Sequence, residues 1–401
     1  MQTLADRLNA IKPSPTIAMT TLAGEMQRAG RDIISLSAGE PDFDTPEHIR
    51  RAAFDAIENG QTRYTPPGGT PELKDAISRH FAEQTGHEAS AREIIVSAGG
   101  KHVLFNALMA SVNPGDEVVI PAPYWVSYPD MTRLCGGAPV IIETKPEEGY
   151  LLTPEALERA ITPKTRWLLL NSPGNPSGAA YTAAQLDALA EVLRRHPQVM
   201  ILCDDIYREI TFDGFTFATM ITAAPDLKDR ILTMDGVSKA YAMTGWRIGY
   251  GIGPEWLIQG MHVIQSQSTS CASSVSQAAA LAALEGPQDF LEAWRGSFRE
   301  RRDFVVGRLN ACKGVTCPFP QGAFYAFPSI RDCIGTMSAG GREIRSDEDF
   351  CMALLEEEGV ATVFGSAFGL SPNFRFSYAT SMDKLEEACK RIERFCEKLR
   401  R

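Results

Sequence analysis

Between residues 93 and 252 one pattern recurs: a short apolar run, a small or polar turn, then a longer stretch of helical periodicity. Glu93-Ile94-Ile95-Val96-Ser97, Glu117 to Ile120, Pro139 to Glu143, Trp167-Leu168-Leu169-Leu170, Val199 to Cys203 and Ile231-Leu232-Thr233-Met234 read as strands. Helical stretches fall at His102 to Val112, Tyr124 to Gly136, Pro154 to Ala160 and Ala183 to Arg195. Apolar strands alternating with helices of roughly 10 to 15 residues specify βαβ units, and so an α/β fold with a mostly parallel sheet. Ligands gather at the carboxyl ends of such strands. Gly99, Asn171, Asp204 and Lys239 all fall there.

The chain is long for one domain at 401 residues. After Gly286-Pro287 the pattern changes to a long charged amphipathic helix (288 to 312), a turn and strand around Phe319 to Phe327, a helix from Glu348, the strand Phe374 to Tyr378 and a last helix from Asp383. A smaller α+β domain is expected there, formed by 1–45 with 286–401, beside a large domain over 46–285. Formal charge is −10, from 40 basic and 50 acidic side chains with no basic block, which argues against nucleic acid or an anionic membrane as partner. Nine scattered cysteines lack CxxC or zinc-type spacing, so reduced thiols and no metal site are expected. No apolar run approaches membrane-spanning length, and a cytoplasmic setting is the expectation.

Chemistry concentrates in a few turns. A lysine in a tight, partly desolvated loop can lose its proton and attack a carbonyl to form a Schiff base, as Lys239 is placed to do. Ser238 before it and Arg247 eight residues after it suit a dianionic phosphate. Ala98-Gly99-Gly100-Lys101, between a strand and a helix, aims backbone N–H groups and a positive helix end at an anion. Gly39-Glu40-Pro41 is a loop whose N–H groups can face a ligand. Pro46 is expected at the first position of a helix. Arg63-Tyr64-Thr65-Pro66-Pro67-Gly68-Gly69 forms a rigid loop, with Thr70 capping the next helix.

These motifs stand in one order: Gly39-Glu40-Pro41-Asp42-Phe43; Tyr64 with its Pro-Pro-Gly-Gly loop; Gly99-Gly100-Lys101; Pro123-Tyr124-Trp125; Asn171-Ser172-Pro173-Gly174-Asn175-Pro176-Ser177-Gly178; Asp204-Asp205-Ile206-Tyr207; Ser238-Lys239 through Arg247; and Arg375. Nearly the whole chain thereby resembles the class I aminotransferases of fold type I, which depend on pyridoxal 5'-phosphate. Within them it resembles the bacterial branch of aspartate aminotransferases that includes prephenate aminotransferases.

The resemblance implies roles that the chemistry supports. Lys239 holds the cofactor aldehyde and then carries the proton between Cα and the cofactor carbon. Asp204 keeps the pyridine nitrogen protonated, because a facing carboxylate raises that nitrogen's pKa. Asp205 is expected to point the other way by strand alternation. Tyr207 and Asn175 donate to the ring oxygen, and Trp125 stacks on the ring. Gly99, Gly100, Ser238 and Arg247 hold the phosphate, and Tyr64 reaches the phosphate of a neighbouring subunit, making a homodimer with composite sites. Arg375 grips the substrate α-carboxylate, helped by Asn175 and the backbone at Gly39. For a distal carboxylate the branch suggests Lys101, with Ser14 and Thr16 as donors and Lys12 nearby; the alternative is that Lys101 only supports the phosphate turn.

The expected reaction is ping-pong transfer of an amino group between aspartate and 2-oxoglutarate. Aromatic or prephenate transamination is the alternative, since Phe324, Tyr325 and Trp125 could line a pocket for rings; a C–S lyase shares the first steps. An aminotransferase-like transcription regulator is disfavoured, because the fold is expected to begin within the first tens of residues and leave no room for a DNA-binding domain. Two departures stand out. Pro15 lies between Ser14 and Thr16 where a smaller residue is expected, and Gly236 stands where some relatives place a hydroxyl.

Overall fold

A computed structural model describes residues 4–401. The short strand β1 (Ile34–Ser35) precedes the strands of the central sheet: β2 (Ile94–Ser97), β3 (Glu117–Ala122), β4 (Ala138–Glu143), β5 (Thr165–Asn171), β6 (Met200–Asp204), β7 (Ile231–Gly236) and β8 (Gly249–Ile252). Their spatial order is β2-β8-β7-β6-β5-β3-β4. The pairs β4–β3, β3–β5, β5–β6 and β6–β7 are parallel, as the sequence pattern predicts. Only β8 runs against its neighbours β7 and β2.

That reversal has a local cause. The segment between β7 and β8 holds one short 3-10 turn, Thr244–Trp246, and no crossover helix. A parallel return requires a longer connection, so the chain doubles back. The consequence is positional: β8 starts at the edge where β7 and β2 end, which brings Arg247 beside Lys239.

Successive residues of the buried strands face opposite layers. Val119, Leu168, Leu170, Ile201 and Cys203 enter one apolar cluster; Val118, Ile120, Trp167, Leu169, Leu202 and Met234 enter another. A third cluster gathers Phe298, Val305, Phe324, Phe350, Phe374, Phe376 and Phe395 and takes in Ile34, Leu36 and Tyr207. Each fully buried Leu, Ile or Phe contributes roughly 1.5–3 kcal/mol. β1 pairs in parallel with the strand Val360–Ala361, so the N-terminal segment lies on the C-terminal part of the chain.

Most expected elements are present, with helices at Pro154–Ala160 and Ala183–Arg195 as read from the sequence. Thr70 caps Pro71–Thr85 by accepting from the Leu73 N–H. Pro46, expected inside its helix, is instead the residue just before Glu47–Glu58. β1 is only two residues long, Ile34 and Ser35 lying in register with Val360 and Ala361, although the Leu36 N–H still donates to Ala361 O and Leu36 O accepts from the Ser377 N–H.

Candidate active site

The carboxyl edge of the sheet opens into a cavity of about 330 Å3 where the second cluster meets the third. Asp204 is the last residue of β6 and 4% exposed. Tyr128 Oη donates to its Oδ2 at 2.6 Å and the Ile206 N–H to its Oδ1 at 3.3 Å. Burial pushes its pKa up to about 6, against the pull of those two bonds and of Lys239. Asp205 does face away, as alternation requires: it lies buried behind the sheet, pushed up to about 8 by burial.

Lys239 follows β7 by three residues, half-buried, with Nζ donating to Gly39 O at 2.5 Å. Burial lowers its pKa to about 8; Arg375 and Arg247 add to that effect, while Glu40 and Asp204 oppose it. Its Nζ lies 5.9 Å from the centre of the Tyr207 ring, and Tyr207 Oη shares a 2.9 Å hydrogen bond with Tyr325 Oη.

Arg375, on the strand Phe374–Ser377, is 2% exposed. Its Nη1 donates to Asn175 Oδ1 at 3.0 Å and its Nη2 to Ser37 O at 2.5 Å, and it packs against the Tyr325 and Phe368 rings. Its Nε is buried with no partner, and among the described residues no carboxylate pairs with it. A buried guanidinium without an acid is costly unless an anion joins it. Asn175, its amide oxygen occupied by Arg375, retains Nδ2 as a donor.

A second anion cradle forms where Gly99 precedes the helix Gly100–Ser111. Gly99 has φ +89°, and a Cβ there would strike the Arg247 guanidinium; a Cβ on Gly100 would sit 2.6 Å from Met234 Sδ. A side chain at Gly99 is disfavoured by its positive φ, and at either position it would displace the Arg247 or Met234 side chain, so the two glycines keep the helix N-terminus open beside Arg247. Arg247 adopts φ +57° and donates to Thr244 O at 2.8 Å. Gly100, Ser238 and Arg247 line the cavity, whereas Gly99 lies behind it.

Lys101 Nζ sits 4.6 Å from the Trp125 ring centre, and its pKa is lowered by burial and by Arg247. Trp125 meets Tyr128 edge-to-face at 5.3 Å. Ser14 and Thr16 also line the cavity, and Thr16 Oγ1 is buried without a partner. Pro15 begins the helix Pro15–Arg28 with Ser14 just before it, a favoured position for proline that leaves both hydroxyl residues at the cavity. Gly236 has no room for a hydroxyl-bearing side chain, since a Cβ would meet Gly249 Cα and Ile248 O at 3.0 Å.

Three residues fall elsewhere. Lys12 lines an adjacent groove with Lys101 and Arg247, outside the main cavity. Tyr64 is 92% exposed and absent from the cavity wall. Phe324, expected in a ring pocket, is a correction: it is buried in the third cluster against Phe298 and Tyr207, while its strand neighbour Tyr325 lines the cavity. The sequence reading also missed Tyr128, three residues after Trp125 and so on the same side of a helical turn, which is the signal that could have found it. Tyr128→Phe is expected to raise the Asp204 pKa further above about 6 and shift the acidic limb of the pH–activity profile upward, measured as kcat/KM against pH.

The family profile described as aminotransferase class I and II matches residues 31–392. The chain is 59% identical to the aspartate/prephenate aminotransferase of Cereibacter sphaeroides over 99% of both sequences. It is 55% identical to an aspartate aminotransferase of Rhizobium meliloti, covering 98% of this chain and 96% of the relative. Among solved structures, the aspartate aminotransferase from Rhizobium meliloti superposes with TM-score 0.97 at 54% identity, covering 100% of both chains. The Thermus thermophilus aspartate aminotransferase with maleate superposes with TM-score 0.92 at 41% identity, covering 98% of this chain and 100% of that one.

Proposed function

The chain belongs to the class I and II aminotransferase family, and from that premise we propose that it moves an amino group between aspartate and 2-oxoglutarate with pyridoxal 5'-phosphate. The observation that carries the reading is Arg375: a buried, acid-free guanidinium with an unpartnered Nε, in one cavity with Lys239 and Asp204. The donor set fits the cofactor. Gly99 and Gly100 keep a helix N-terminus open beside Arg247, which suits a phosphate; Asp204 suits a protonated ring nitrogen; and Lys239, with its lowered pKa, suits an aldehyde. When bound, pyridoxal phosphate supplies that aldehyde and an electron sink for the charge left when Cα loses its proton.

In this reading the side chains do the following. Gly99, Gly100, Ser238 and Arg247 hold the phosphate, and Trp125 stacks on the ring. Asp204, fixed by Tyr128, keeps the ring nitrogen protonated. Tyr207 Oη and Asn175 Nδ2 donate to the ring oxygen. Lys239 Nζ would serve as the base for the Cα proton. Arg375 binds the α-carboxylate, oriented by Asn175 and Ser37 and aided by the backbone at Gly39. Lys101, with Ser14 and Thr16, meets the distal carboxylate. Lys12, in the next groove, serves longer substrates at most.

Acceptance of prephenate is a second reading, favoured by Trp125 and Tyr325 on the cavity wall and by the name of the Cereibacter relative. The division into a large domain over 46–285 and a small one from 1–45 with 286–401 is supported by the pairing of β1 with Val360–Ala361, while Tyr207, Ile210 and Phe212 pack across that boundary into the third cluster. A homodimer in which Tyr64 crosses to the partner's phosphate explains why so large a side chain is exposed here. A cytoplasmic setting accords with the finding that no helix among the described residues is long and apolar enough to cross a membrane.

Mixing cofactor-loaded protein with single amino acids, without acceptor, tests the reading by absorbance. Rapid conversion to the pyridoxamine form with aspartate and slow conversion with phenylalanine supports it; fast conversion with aromatics moves the assignment to rings, and release of ammonia or pyruvate to a lyase. Lys101→Ala is expected to lower kcat/KM for aspartate by about 10²-fold, and for phenylalanine far less, through loss of a charge-assisted bond. Equal losses would remove Lys101 from specificity.

A further inference from the structure

The geometry points to Gln265 as a positioning residue that ties the strand and helix carrying the Gly99-Gly100 cradle to the loop that presents Tyr64. This inference rests on the cofactor reading above and concerns a residue that touches neither cofactor nor substrate in it.

Gln265, on the helix Glu255–Ser268, is wholly buried at 0% exposed, and its carboxamide is fully used. Oε1 accepts from Ser97 Oγ at 2.5 Å and from Asn106 Nδ2 at 2.9 Å. Nε2 donates to Pro67 O at 2.5 Å and to Val96 O at 2.8 Å. An amide has two donors and two acceptor sites, so all four are satisfied. Val96 and Ser97 end β2, the strand that runs into Gly99; Asn106 lies on the helix that begins at Gly100. Pro67 belongs to the loop that follows Tyr64. One side chain therefore joins three separate segments.

The surrounding contacts fit this role. β2 is an edge strand, and an open edge must be covered. Here the Val96 N–H donates to Gly68 O at 2.9 Å and Val96 O accepts from Gln265, so the loop and the glutamine together close that edge. The approach is so tight that Gly68 has no space for a Cβ beside His262, and a Cβ on Gly69 would lie 2.6 Å from Val96 Cγ2. Both ends of the loop are pinned as well: Gln277 Nε2 donates to Thr65 Oγ1 and Gln277 Oε1 accepts from the Thr70 N–H, each at 2.9 Å. Tyr64 thus projects from a loop whose seat on β2 depends on Gln265.

Removing the carboxamide leaves three buried polar partners and the exposed Pro67 carbonyl unmatched, and leaves the loop on β2 with only the Gly68 O bond. Gln265→Leu keeps most of the volume and removes every bond; Gln265→Glu keeps the acceptor for Ser97 and Asn106 but cannot supply both donors. The test measures binding of pyridoxal 5'-phosphate and of pyridoxal, which lacks the phosphate, to cofactor-free protein by absorbance. Gln265→Leu is expected to weaken pyridoxal phosphate about tenfold or more and pyridoxal much less, with Gln265→Glu intermediate. A double-mutant cycle with Tyr64→Phe is expected to be non-additive for pyridoxal phosphate. Equal weakening of both ligands, unchanged affinity, or strict additivity with Tyr64→Phe would overturn the assignment. If Gln265→Leu fails to fold, the Gln265→Glu and Tyr64→Phe cycle decides alone. Failure of the wild-type protein to bind pyridoxal phosphate would instead sink the cofactor reading.

Discussion

Lys239→Ala is expected to reduce turnover of aspartate by about 10⁴-fold or more while leaving the fold intact. The side chain makes one hydrogen bond, to Gly39 O, so its removal strands only a carbonyl on a loop, yet it takes away the amine that this reading assigns to proton transfer. Stability gives an independent readout. The folded pKa of about 8 lies below the ordinary 10.5, so the charged lysine costs folding energy fully below about pH 8, and that cost fades as pH rises towards 10.5. Cofactor-free Lys239→Ala protein should therefore gain stability against wild type at about pH 7, and the gain should shrink by about pH 9.5. Denaturation at the two pH values checks this. Residual turnover within about tenfold of wild type would remove Lys239 from proton transfer.

Asp204→Asn separates function from stability in the same way but with opposite charge. Its turnover is expected to fall by about 10²–10³-fold, because a neutral amide cannot hold a proton on the ring nitrogen. Tyr128 can still donate to the amide oxygen, so the wall of the site is kept. With a folded pKa near 6 against an ordinary 3.8, Asp204 binds its proton more tightly when folded. Stability from that proton is full below about pH 3.8 and is lost as pH rises through 6. The Asn variant, always neutral, should thus match wild type in acid and exceed it by roughly a few kcal/mol at neutral pH when no cofactor is bound. An ionised, buried carboxylate is maintained at a cost in the empty protein and is useful once a cation faces it. Full activity at neutral pH, or no stability gain, would contradict this account.

What the sequence disclosed and what it withheld follow from the range of each interaction. Strand–turn–helix punctuation is local, so Gly99-Gly100, Asn171, Asp204 and Lys239 could be placed on one sheet edge from the chain alone, and the family motifs then supplied roles. The direction of β8 is not local: its residues would pair equally well either way, and only the short link from β7 decides. Tyr128 and Ser37 were passed over because their partners, Asp204 and Arg375, lie 76 and 338 residues away. Phe324 and Tyr325 show the limit of reading side-chain facing without a fixed register. Phe324 directly precedes the strand Tyr325–Ala326; both rings join the third cluster, but only Tyr325 also reaches the cavity.

The bonds from Arg375 to Ser37 and Asn175 also bear on the order in which the protein acquires its abilities during synthesis. Every side chain assigned here to the cofactor within one subunit lies between Gly99 and Arg247, a single contiguous stretch, whereas the carboxylate grip joins the start of the chain to a strand near its end. Domains assemble progressively from the N-terminus as the ribosome extends them. In chain order, the residues assigned to the anion cradle and its support, Gln265 included, are made before Arg375, whose bond to Ser37 closes the carboxylate grip. The groups assigned to the reactive carbonyl thus come off the ribosome before the group assigned to select what meets it.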